Sequence, residues 1–193
     1  RWASPIAGYN GISNATSAWL DFCDIDGDGD QDLFVGGSQG NGKLAYFQNT
    51  GTVQQAVWAP QIYPYSNLVV NIHCVPTFAD LDADNDLDLL VSDTERLTYF
   101  RNDGTATQAI WAAGDTNILP GVYGWPRLWD ADGDGDADLF VGVDGAGGTG
   151  YISFYENTGS PAHYAWAPVV TNYGGLRNGR LPCPAFGDLD GDG

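Results

Sequence analysis

The chain alternates short apolar runs with short, strongly polar loops, and nowhere sustains a 3.6-residue apolar period long enough to predict a helix. Three runs share the form D-L-(F/L)-V: Asp32 to Val35, Asp88 to Val91 and Asp138 to Val141. A short continuous apolar run bounded by turn residues predicts a strand buried on both faces. Each of these follows an earlier apolar run, at Ala18 to Phe22, Cys74 to Phe78 and Trp125 to Leu128, and a fourth such run spans Cys183 to Phe186. A Gly-rich or polar hairpin loop comes next (36–42, 92–96 and 142–150), then an aromatic strand at Tyr46-Phe47, Tyr99-Phe100 and Phe154-Tyr155. An N-T-G or N-D-G turn signal closes that strand. A tryptophan then follows each asparagine by nine residues: Asn49 to Trp58, Asn102 to Trp111 and Asn157 to Trp166. The pattern predicts four strands per unit and an all-β chain.

The units recur in line. Their first loop aspartates are Asp24, Asp80, Asp130 and Asp188, spaced by 56, 50 and 58 residues. Four-stranded antiparallel sheets repeated in series predict the blades of a β-propeller, each blade needing its neighbours to cover its faces. The expected blades are 17–70, 73–122 and 123–172, flanked by partial blades 1–16 and 180–193, with 1–193 as part of one propeller domain. That is about three and a half blades, whereas propellers close with about four to eight. The expectation is a segment of a longer protein, with the remaining blades supplied by the same or a neighbouring chain.

Charge sharpens the picture. Seven Lys and Arg face 25 Asp and Glu, for a formal net charge of −18. A surface this negative excludes nucleic acid as a partner. No apolar stretch approaches the roughly 18 residues of a membrane span, so membrane insertion is excluded too, and no signal peptide lies within the chain. An apolar content of 43% excludes disorder. Eighteen of the 25 acids fall in the four clusters that open the repeats. Like charges this close are unfavourable unless something cancels them. The clusters are embedded between apolar runs, which favours cation binding over a solvated tail.

Each cluster reads D-x-D-x-D-x-D-x-D, with aspartates at positions 1, 3, 5, 7 and 9. The candidate metal ligands are Asp24, Asp26, Asp28, Asp30 and Asp32 in the first loop, and Asp80, Asp82, Asp84, Asp86 and Asp88 in the second. Asp130, Asp132, Asp134, Asp136 and Asp138 form the third, and Asp188, Asp190 and Asp192 a truncated fourth. Carboxylates at positions 1, 3 and 5 point inward from a tight loop, position 7 contributes its carbonyl, and position 9 closes the shell. Position 6 calls for a residue that tolerates positive φ, and holds Gly29, Asn85, Gly135 and Gly193. All-oxygen ligation with several carboxylates selects Ca²⁺ over Mg²⁺. Zinc is disfavoured, since no His or Cys stands at ligand spacing. An EF-hand is disfavoured as well, since position 12 is Val35, Val91 or Val141 rather than Glu. The expected complement is three complete Ca²⁺ sites and a fourth that is cut short, acting as architectural clamps.

The pattern F-x-D-x-D-G-D-G-D-x-D-L-F-V-G followed by Y-F-x-N-T-G-T resembles the FG-GAP/VCBS repeat of secreted and cell-surface proteins, whose blades also build the integrin α-subunit head. The resemblance covers nearly the whole chain. It implies a propeller with one Ca²⁺ per loop and an extracellular or cell-surface location. The second copy departs at Ala83 and Asn85, where the pattern has Gly.

Other residues suggest less. Cys23, Cys74 and Cys183 read as small buried strand residues, with a disulfide to another part as the alternative. His73 and His163 are isolated, and no nucleophile–base pair or phosphate loop is present. The spare acids Asp21, Asp93, Glu95, Asp103, Asp115, Asp144 and Glu156 form no evident catalytic pair. The fixed register of Trp58, Trp111 and Trp166 suits core or inter-blade packing better than sugar stacking. Tyr63, Tyr65, Tyr123, Trp125, Tyr164 and Tyr173 are the better surface candidates. Asn14-Ala15-Thr16 is a glycosylation sequon. The expectation is a non-enzymatic adhesion or ligand-binding module whose partner is an extracellular protein or polysaccharide. The alternatives are a structural subunit of an extracellular filament or sheath, and the propeller part of a polysaccharide-degrading enzyme.

Overall fold

The computed structural model describes residues 17–37, 42–66, 68, 70–160, 163–178, 180 and 182–187. Three antiparallel sheets follow one another along the chain. The first comprises β1 (Ala18–Cys23), β2 (Asp32–Gly37) and β3 (Ala45–Phe47). The second comprises β4 (Val75–Ala79), β5 (Asp88–Ser92) and β6 (Leu97–Phe100). The third comprises β7 (Trp125–Trp129), β8 (Asp138–Val143) and β9 (Gly150–Tyr155), with β10 (Val170–Thr171) and β11 (Arg177–Asn178) both pairing with β9. Among the described residues there is no α-helix, only two short 3₁₀ turns at Ala146–Gly148 and Tyr173–Gly175.

The D-L-(F/L)-V runs form the middle strand of each sheet, and β2 and β5 are buried throughout. Period-two alternation sends their side chains to opposite faces. In β5, Leu89 and Val91 join a core with Cys23, Phe34 and Tyr46 of the first blade, while Leu90 joins a core with Leu128, Leu139 and Val141 of the third. Two of the hydrophobic cores thus lie between sheets, while a third, of Leu33, Val35, Ala45 and Phe47, lies on the other face of the first sheet under Trp58.

The fourth strand departs from expectation. In the first two blades it is reduced to paired bridges, Asn49 with Trp58 and Tyr46 with Ile62, then Asn102 with Trp111 and Tyr99 with Asp115. In the third, Asn157 pairs with Trp166 and Phe154 with Val170 of β10. Between the paired bridges the outer segment advances four residues while its partner advances three, in all three blades. This is a β-bulge, which breaks the ladder and bends the edge. Pro60 and Pro168 lie inside two of these bulges and supply no N–H to a ladder.

The inner strands β1, β4 and β7 pack side by side. β4 and β7 each borrow a polar side chain from the inner strand before it: Phe78 N donates to Asp21 Oδ2 (3.2 Å) and Leu128 N to Thr77 Oγ1 (3.4 Å). Arg127 of β7 spans all three blades. It donates to Pro76 O (3.0 Å) and Leu20 O (2.8 Å) and pairs with Asp21 at 3.6 Å. Blade contact is close enough that a Cβ on Gly36 would sit 1.8 Å from Cys74 O, and one on Gly142 1.6 Å from Pro182 O. Only glycine fits there.

Candidate metal centres

Each aspartate loop bridges the inner and middle strands of its blade, and its fold follows from its own side chains. The position-1 carboxylate reaches across the loop to backbone N–H groups. Asp80 accepts from Ala83 N (2.7 Å) and Asn85 N (3.0 Å), and Asp130 from Gly133 N (2.7 Å) and Gly135 N (3.1 Å). Asp24 accepts from Asp28 N and Gly29 N at 3.1 and 3.0 Å. Position 5 then accepts from the amide of position 7, in Asp28, Asp84 and Asp134. These bonds orient the loop so that other carboxylate oxygens converge.

The convergence is measurable. Ligand oxygens lie within 4.8 Å of one another in Asp24, Asp26 and Asp28, in Asp80, Asp82 and Asp88, and in Asp130, Asp132 and Asp134. The loops use two left-handed residues, not one. Position 6 has φ of 92°, 70° and 95° at Gly29, Asn85 and Gly135, and position 4 has φ of 70°, 59° and 78° at Gly27, Ala83 and Gly133. Ala83 therefore holds a conformation that costs an L-residue roughly 1–2 kcal/mol.

The side chains at position 7 are buried as well. Asp30, Asp86 and Asp136 are 5%, 4% and 8% exposed, and in each the Oδ1 atom is buried without a hydrogen-bond partner. Asp26 Oδ1 and Asp82 Oδ1 share that condition. An orphaned buried carboxylate oxygen is costly, and nature normally resolves it with a proton or a cation. Burial, followed by repulsion from Asp84, pushes the Asp86 carboxyl up to about 7, and the same two causes acting through Asp134 push Asp136 to about 6. Asp30 and Asp82 are also raised, by burial first and neighbouring aspartates second. The donor set is hard oxygen throughout, so the loops are groups that can hold a hard cation.

Position 9 is a hub. Asp32, Asp88 and Asp138 are buried to 1%, 0% and 1% exposure. Their Oδ1 atoms accept from Asn49 N (2.7 Å), Asn102 N (2.8 Å) and Asn157 N (2.8 Å). Tyr46 and Tyr99 hydroxyls donate to Oδ2 of Asp32 (3.0 Å) and Asp88 (2.9 Å). The third blade has Phe154 at the tyrosine's place, and Asp138 Oδ2 keeps only the position-2 amide of Ala131, the counterpart of Leu81 N on Asp88. Burial lifts Asp32 and Asp88 to about 6 against these bonds, which pull the other way. The asparagines and tyrosines were visible in sequence only as a turn signal and an aromatic strand. Their distance from the aspartates varies from blade to blade, and only the asparagine's constant place three residues after the Tyr or Phe and nine before the Trp marked the position.

The remaining predicted residues divide. Asp188, Asp190 and Asp192 lie outside the described residues, as do residues 1–16 with the Asn14 sequon. Trp58 packs on the core of Leu33, Val35 and Phe47; Trp111 on the first inter-blade core; Trp166 on the second. Tyr63, Tyr123 and Tyr173 are exposed, whereas Tyr65 packs on Phe34 and Tyr46, and Tyr164 on Tyr99. Cys23 and Cys74 are buried free thiols, and burial drives the Cys74 thiol up to about 12. Cys183 departs from the buried reading, being exposed.

The sequence matches the FG-GAP-like repeat three times, over residues 24–91, 80–141 and 130–193. The chain belongs to the FG-GAP-like repeat family, a class built of β-propeller-like modules and typical of extracellular proteins. Comparison with curated proteins and with solved structures gives no match. Among the described residues no helix is long and apolar enough to cross a membrane.

Proposed function

We propose that this chain is part of an extracellular, Ca²⁺-clamped β-propeller that serves as an adhesion or ligand-binding module. The observation that carries the reading is the set of buried, unpartnered carboxylate oxygens repeated in the three loops, at Asp30, Asp86 and Asp136. A divalent cation satisfies them and cancels the repulsion that the loops otherwise store. Asp24, Asp26 and Asp28, and their counterparts, would hold it, with position 7 adding its side chain. The clamp ties the inner strand of a blade to its middle strand, and so fixes the loops that a partner meets. Exposed Tyr63, Tyr123 and Tyr173 suit contact with an extracellular protein or polysaccharide. The aspartates are engaged in loop architecture, which supports a role without catalysis.

The test is thermal unfolding in 10 mM Ca²⁺ and in chelator. With sites of Kd about 10⁻⁴ M, each ion adds about 2.7 kcal/mol. Unfolding in Ca²⁺ should come at least 10 °C higher. Identical curves would remove the clamp.

A further inference from the structure

One position distinguishes the three loops. The residue just before the recurring asparagine is Gln48, Arg101 and Glu156. It holds the same register in each blade, because the next residue's amide is bound by the position-9 aspartate in all three. In the first blade this residue reaches the loop directly: Gln48 Nε2 donates to Asp26 Oδ2 at 2.6 Å. In the second, Arg101 stands at the same register, and Asp103 anchors its guanidinium at 2.6 Å. In the third the position carries an acid. We propose that this residue sets the cation affinity of its loop, so that the centres fill in the order third, first, second.

A cation entering the second loop meets a cationic side chain at the register from which Gln48 reaches its own loop. One entering the first finds Asp26 already sharing an oxygen with a neutral amide. One entering the third finds no donor at this position and an added negative charge. The second loop is further handicapped by the left-handed backbone of Ala83, where the other two carry glycine. Cation affinity in oxygen-ligand loops tracks the count of ligand charges and the stiffness of the site, so each unit of charge here should shift Kd by about tenfold. A propeller graded in this way rigidifies in stages as Ca²⁺ rises, with the second blade the last to lock.

This inference rests on the loops binding cations at all, and the experiment separates the two. Calorimetric titration of the whole chain with Ca²⁺ should show distinct affinity classes. Asp24→Asn, Asp80→Asn and Asp130→Asn should each delete one class and so assign it to a loop. Arg101→Gln should tighten the weakest class about tenfold, Glu156→Gln should weaken the tightest, and Gln48→Glu should tighten the middle one. All three changed residues are at the rim, and circular dichroism checks that each variant is folded. Anomalous peaks in crystals soaked at graded Ca²⁺ give an order of filling that needs no variant. Normal binding in a single affinity class, or classes unmoved by the rim changes, overturns the grading alone. No binding at any loop overturns the clamp beneath it.

Discussion

Asp88 offers the sharpest energetic test of the loop architecture. Its buried carboxylate takes hydrogen bonds from Asn102 N, Tyr99 Oη and Leu81 N, at 2.8, 2.9 and 3.1 Å. Asp88→Ala leaves three donors without their acceptor in a site that water does not reach. At about 1–3 kcal/mol for each stranded group, the gross cost is about 3–9 kcal/mol. Part of that is returned, since burial already penalises the charge and lifts the carboxyl to about 6. The net loss should be about 3–5 kcal/mol, or a fall of roughly 6–20 °C for a chain of this size. Asp88→Asn keeps the shape and removes the charge, but its amide N–H₂ must face at least one of the backbone donors, Asn102 N or Leu81 N. In chelator it should cost about 1–3 kcal/mol, less than Asp88→Ala. In Ca²⁺ its deficit should grow by the contribution of one ion, about 2.7 kcal/mol. Thermal and urea unfolding of both variants in the two buffers measures this. A cost below about 1 kcal/mol for Asp88→Ala, or an equal deficit for Asp88→Asn with and without Ca²⁺, would refute the reasoning.

Three further outcomes follow from the same geometry. Arg127→Ala should destabilise by about 2 kcal/mol in a denaturant titration, because it strands the Leu20 and Pro76 carbonyls and leaves Asp21 without its counter-charge; Arg127→Lys should recover only part of this. Ala83→Gly should raise stability by up to about 1 kcal/mol, since it relieves the φ of 59°; a loss would show that the loop tolerates alanine without strain. In chelator, stability should rise as pH falls from about 7.5 to 5, because Asp32, Asp86, Asp88 and Asp136 are all raised above their unfolded value and the fold takes up protons across that window. In Ca²⁺ the trend should reverse, since protons then compete with the ion, so melting curves from pH 8 to 5 should converge.

Much of this architecture could be read directly from the residues. The middle strands were legible because β2 and β5 are buried on both faces, and such strands carry an unbroken apolar run. The loops were legible because fifteen of the aspartates repeat at alternate positions in three complete copies. The outer strand was not, because a bulge leaves no periodicity to detect, and Trp58 and Trp111 mark only its first bridge. The second left-handed position was hidden by Ala83, a residue that does not advertise positive φ. The hub at Asp32, Asp88 and Asp138 was missed because its partners lie 11 to 19 residues downstream in a different strand. Arg127 gave no local signal at all, since its three contacts come from two other blades.

The most direct test is a crystal structure of the chain grown in Ca²⁺, with anomalous data to identify the ion. A peak should appear in each of the three described loops, with carboxylate oxygens at about 2.3–2.6 Å and Oδ1 of Asp30, Asp86 or Asp136 among the ligands. Loops holding only water at saturating Ca²⁺, with those oxygens hydrogen-bonded to it, would contradict the account.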